Sequence, residues 1–338
     1  MSDDYLWDRS GQADPEVERL EQLLSELRHN RPAPQFPAAV ARLRPSRFRL
    51  LMPLAAAALV VLAIAGPWFW LRWSRPAWDV ARLAGSPTIG STPIGDVGRL
   101  APGQLLETDA ASRAKIEVGS IGQVEVGPNT RVRLIKTRTT EHRIALERGA
   151  IEARIWAPPG LFFVDTPSAV AVDLGCAYTL EVDDAGVALL YVKNGWVGFE
   201  SNGLESFVPA GAYCQTFPGI GPGTPYFEDA SEAFRRALGS LDFGRLNPTE
   251  RGETLMTILA EARKDDTLTL WHLLFRGDET ERGRVYDRMA QLVPPPKGVT
   301  REGILRLDRK MLDLWWNQLD LGSVNWWRMW KGPSPFQR

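Results

Sequence analysis

Residues Leu50 to Leu71, 22 in a row, carry no charge and no strongly polar group. As a helix rising 1.5 Å per residue they reach roughly 33 Å, enough for a hydrocarbon core of about 30 Å. Pro53, Gly66 and Pro67 lie toward the ends of the run, and membrane helices tolerate such residues better than soluble ones do. Two other readings compete. A core helix of this length normally keeps a polar face. A secretory signal begins near the first residue and is followed by small residues for cleavage. Here 49 residues precede the run and Arg72-Trp73-Ser74-Arg75 follow it. The expectation is an uncleaved, single transmembrane helix over 48–73.

Arg42, Arg44, Arg47 and Arg49 crowd the leading side, and no acidic residue occurs between Glu26 and Asp79. Cations favour the cytoplasmic flank, so the N-terminus is expected inside and the bulk of the chain outside. Arg47, Arg49, Trp68, Trp70, Arg72 and Trp73 are the expected membrane-interface residues, which makes the lipid bilayer a partner. Of 338 residues, enough follow the run for one large or two modest domains. The net charge of −1 gives no electrostatic support for binding nucleic acid. His29, His142 and His272 are scattered and form no ligand spacing. Neither a metal site nor a cofactor is expected.

Residues 1–47 read as a short arm with one amphipathic helix. Asp14 is a natural cap and Pro15 suits the first helical position. Val17, Leu20, Leu23, Leu24 and Leu27 then recur at helical spacing among glutamates. A lone helix cannot bury such a stripe, so the arm is either partner-binding or a mere tether. From 78 to 217 the pattern changes to period-two alternation, as in Arg113–Val118, Gln123–Val126 and Arg131–Leu134. Arg143–Leu146 and Ala150–Ile155 read as two strands separated by Glu147-Arg148-Gly149, and Asp183–Gly186 and Lys193–Gly195 read as hairpin turns. Strands every 8–12 residues predict an all-β domain, a sandwich or a short β-solenoid. The Gly219–Gly223 stretch reads as an interdomain linker. Over 226–332 the period becomes helical, predicting an α-helical bundle with a final helix over Thr300–Asn317 capped by Thr300, and with Gly239 and Gly277 at helix ends. The fold class is therefore mainly β plus α, with one membrane span.

The β region resembles the FecR-type domain. The resemblance is carried by Ser112–Val118, Gly122–Val126, Thr130–Leu134 and Ile144–Ile151. It is strongest in Phe162–Val182, where Thr166-Pro167 is followed by Gly175, and in Val187–Phe199 with Asn194-Gly195-Trp196. Position 176, where the family pattern has threonine, is Cys. The resemblance covers about residues 85–215. It implies a single-pass inner-membrane regulator that joins a cytoplasmic segment holding a sigma factor to an extracytoplasmic, periplasmic sensing domain. Leu20, Leu23, Leu24 and Leu27 would then form the face offered to the sigma factor. The alternative is a structural envelope module that binds a cell-wall polymer or another envelope protein.

Two chemical readings remain. Cys176 and Cys214, both on the outer side, are either a disulfide or two separate buried thiols. Asp165, Asp173, Asp183 and Asp184 raise a hydrolase only if they converge; Asp183 and Asp184 fall in a turn that favours aspartate, so no catalytic residue is assigned. Trp271 and Trp315 read as core. Trp326, Trp327 and Trp330 read as core or as a membrane- or partner-facing patch.

Overall fold

The computed structural model describes residues 14–27, 77–319 and 321. The chain divides into two compact units, Met1–Trp70 and Leu71–Arg338. In the first, helix Pro15–Ser25 starts where Asp14 accepts a hydrogen bond from the Glu16 amide at 2.9 Å. The expected span Leu50–Leu71 and its interface residues Arg47, Arg49, Trp68, Trp70, Arg72 and Trp73 lie outside the described residues. No helix among the described residues is long and apolar enough to cross a membrane.

The second unit begins as two hydrogen-bonded ladders. One runs through Val97–Leu100, Trp78–Ala84, Arg113–Val118, Gly122–Val126, the end of Glu141–Ile155, Ala177–Val182, Ala188–Asn194 and Ala212–Phe217. The other runs through Thr88–Ile89, Leu105–Glu107, Arg131–Arg138, the start of Glu141–Ile155, Phe162–Asp165, Val170–Asp173, Trp196–Ser201 and Leu204–Pro209. Pairing is antiparallel except between Glu141–Ile155 and Phe162–Asp165. Alternation places Ala114, Ile116 and Val118 of one ladder and Val132, Leu134, Ile144 and Leu146 of the other in one buried cluster.

Glu147-Arg148-Gly149 is not a turn, as the sequence led us to expect. Glu141–Ile155 is one strand of 15 residues that leaves one ladder and joins the other. The corner is Gly149, with φ +88°, where a Cβ would come 2.5 Å from the Thr130 Cα. Only glycine fits both that dihedral and that approach. Lys193–Gly195 is likewise not a hairpin. Ala188–Asn194 and Trp196–Ser201 belong to different ladders, and Gly195 carries the chain across at φ +76°. Asp183–Gly186 does close a hairpin, with Asp183 Oδ1 accepting from the amides of Ala185 and Val187.

Helices follow from Glu232. Phe234, Leu238, Ile258, Leu268, Leu270 and Trp315 join the same buried cluster as the strands. Gly239 lies inside helix Glu232–Phe243 rather than at an end. The single helix expected over Thr300–Asn317 is two, Arg301–Leu305 and Arg309–Trp316, capped by Thr300 and Asp308. Leu307 between them has φ +58°. The break changes the phase of the apolar stripe, so Leu312, Trp315 and Trp316 are buried while Leu314 is exposed.

Candidate functional site

Helix Pro15–Ser25 has no buried residue. Leu20, Leu23, Leu24 and Leu27 are 57, 70, 55 and 78% exposed. The fold leaves four leucines along one helical stripe in water, flanked by Glu16, Glu18, Glu21 and Glu26. Covering each would gain about 1.5–3 kcal/mol. This is a contiguous apolar face without a cover among the described residues, with acidic residues beside it.

The candidates of the β region separate rather than converge. Asp165 pairs with Arg143, whose guanidinium also lies 4.5 Å over the Phe163 ring. Arg143, Phe163, Val170, Val172 and Leu204 line a recess of about 450 Å³. Asp184 is exposed beside Arg148, and Asp183 serves its turn. Asp173 is buried, and its carboxyl faces a thiol: Cys176 Sγ–H donates to Oδ2 at 2.8 Å, and the Gly175 amide donates to Oδ1 at 2.7 Å.

 Asp173 ends strand Val170–Asp173 and is 1% exposed. Burial outweighs those two hydrogen bonds and lifts its carboxyl to about 7. Burial, then the neighbouring Asp173 charge, pushes the Cys176 thiol far up. The Tyr178 hydroxyl nearby is fully buried and has no hydrogen-bond partner among the described residues.

The two cysteines are free thiols. The disulfide considered for them is not formed, and the strand registers explain why. Cys176 directly precedes Ala177, which pairs with Asn194, whereas Cys214 pairs with Leu190. They are two strand spacings apart across the ladder, about 10 Å, and about 13 Å apart along it. A bridge needs Cα atoms within about 7 Å. Cys214 Sγ instead lies 3.3 Å from the Gly223 carbonyl, and burial pushes its thiol up to about 12. Among the described residues no three metal-ligating side chains converge.

The sequence also missed the joint between strands and helices. Gly219–Gly223 is no free linker: Gly221–Pro222 pairs with Thr216–Phe217, and Gly221 through Pro225 are buried. His272, on helix Thr267–Leu273, is 3% exposed. Its Nε2 accepts from the Phe207 amide at 3.0 Å, and Nδ1 donates to the Leu268 carbonyl at 2.8 Å. Burial lowers its pKa to about 3, so the ring is neutral. Arg276 donates to the Pro222 carbonyl at 2.9 Å, to Ser206 Oγ at 2.8 Å and to the Gly223 carbonyl at 3.1 Å. Asp242, 3.7 Å from Arg276, accepts from the Thr224 amide and hydroxyl. No periodicity announces these partners, because they are far apart in sequence. Trp271 and Trp315 are buried as expected; Trp326, Trp327 and Trp330 lie outside the described residues.

Residues 104–197 match the family model for FecR protein. No curated protein matches the chain. Two crystal structures of a proposed anti-sigma factor from Parabacteroides distasonis ATCC 8503, at 1.65 and 2.50 Å resolution, are similar at 14% identity. Each similarity covers 39% of this chain and 63 or 62% of the other, so under two thirds of those chains is spanned. The TM-score is 0.33 in both cases, too low to argue from.

Proposed function

We propose, with the FecR match over residues 104–197 as premise, that this chain is a single-pass membrane regulator of a sigma factor. In this reading residues 1–47 are the cytoplasmic arm and 48–73 the anchor in an inner membrane. Residues 78–217 are the extracytoplasmic β domain, and 226–332 the helical domain behind it. No catalysed reaction is part of the reading. The observation that carries it is the capped helix whose Leu20, Leu23, Leu24 and Leu27 stand in water beside an acidic rim. A protein that held a sigma factor through this face would leave that face bare when alone.

The test uses the full chain, purified in detergent after co-expression with candidate sigma factors. Recovery of a sigma factor with the wild type supports the reading. Leu23→Asp with Leu27→Asp should then weaken capture by about 100-fold or more, since each leucine contributes at least about 1.5 kcal/mol. Thermal unfolding of the outer part should be unchanged. If the wild type captures none, the sigma-factor reading is lost. The arm is then a tether for an envelope module that binds a polymer or another protein.

A further inference from the structure

One end of the β region is defined by strand register. Val80 pairs with Ile116, Val118 with Gly122, and Gly122 with Ile155, while Ala177 pairs with Arg154. Trp78, Val118, Gly122, Ile155 and Cys176 therefore form one row across the end of the ladder. Trp156 stands one residue beyond that row. It is 64% exposed, yet fixed: its amide donates to the Ile121 carbonyl at 2.9 Å and its indole Nε1–H to the Ser120 carbonyl at 3.0 Å. Ile121 and Leu161 are partly buried against the core. The indole is therefore a fixed, amphipathic side chain whose apolar edge stands in water.

The length of chain preceding Trp78 says which surface. Only residues 72–77 separate the apolar run from Trp78. Fully extended, the steps from Leu71 to Trp78 span at most about 25 Å. Trp156 lies three strand spacings from Trp78, about 14 Å. The chain therefore limits Trp78, at the same end of the ladder as Trp156, to within about 25 Å of the last residue of the run. Charge does not oppose the approach. Arg72 and Arg75 are the only charged residues in the tether. Asp79 and Glu117, near the row, sit beside Arg99 and Lys115.

We propose that Trp156 is a lipid contact, seated in the headgroup layer of the bilayer leaflet from which the anchor emerges. Indoles favour that layer because one edge is apolar and the N–H is polar. The contact would hold the β region at a set tilt against the membrane. This inference rests on the reading of Leu50–Leu71 as an anchor.

The experiment uses the full chain in vesicles of phosphatidylcholine and phosphatidylglycerol, some carrying a spin label near the headgroup. A fluorophore is placed through Ser120→Cys, beside Trp156; through Asp184→Cys, in the turn at the opposite end; or through Ser74→Cys, in the tether. The native thiols are 5 and 0% exposed, so labelling is confined to the new position. Expected is quenching at 74 and 120 but not at 184, with the quenching at 120 lost when Trp156→Ala is added. Quenching at 74 alone overturns the lipid contact and keeps the anchor. Equal quenching at 120 and 184, or quenching at 120 that survives Trp156→Ala, also overturns it. No quenching at 74 removes the anchor and this inference together.

Discussion

Asp173 and His272 are buried titratable groups that prefer their neutral forms, and they bias stability in opposite directions with pH. The Asp173 carboxyl rises from 3.8 to about 7 on folding. The folded chain therefore holds this proton more tightly than the unfolded one, and stability from this group falls as pH rises from about 4 to 7. Asp173→Asn should abolish that loss, which amounts to about 4 kcal/mol at full extent. His272 falls from 6.5 to about 3. Here the unfolded chain binds the extra proton, so stability from His272 is complete above about 6.5 and is lost as pH drops toward 3. In the wild type the two slopes offset each other between about pH 4 and 6.5. Urea unfolding at several pH values should show a stability rising with pH in Asp173→Asn. It should show one falling with pH in His272→Gln, which also loses about 1–3 kcal/mol at pH 7 from the unmet Phe207 amide.

At the scale of elements, the helices are held to the strands by a buried ion pair with its hydrogen bonds filled. Arg276 and Asp242 have side chains 13 and 6% exposed. Arg276→Met removes the cation beside Asp242 and takes one donor from each of the Pro222 and Gly223 carbonyls, so thermal unfolding should show a loss of about 3–5 kcal/mol. Arg276→Lys should recover little, because one ammonium cannot reproduce the fork. Elements whose cause is local were legible in the sequence. Alternation in Arg113–Val118 marks a strand, and Asp14-Pro15 marks a helix start. What was not legible depends on distant partners. Gly149 reads as a turn until Thr130 is seen against it, and Gly195 as a hairpin until the Gly175 carbonyl is found 2.4 Å from where its Cβ would be. The leucine stripe was legible because exposure needs no partner, whereas the thiol positions depended on register across three strands.

Over the whole molecule, the strands and the helices share one buried cluster, and the cross-links between them are hydrogen bonds rather than covalent bonds. Denaturing alkylation without reductant should therefore modify both Cys176 and Cys214, and mass spectrometry should find two added groups. Reducing agent should leave the unfolding temperature where it was. No modified thiol would mean that oxidation had paired them after a rearrangement of the ladder.

Trp78–Ala84 is flanked on both sides, by Val97–Leu100 and by Arg113–Val118, and the tether enters at its first residue. Bonds between strands lie crosswise to the strand direction. Tension arriving along the tether consequently loads them side by side, in shear, instead of peeling them one after another. Stretching the protein between this point and the far end of the same ladder should give one abrupt rupture rather than a gradual peeling.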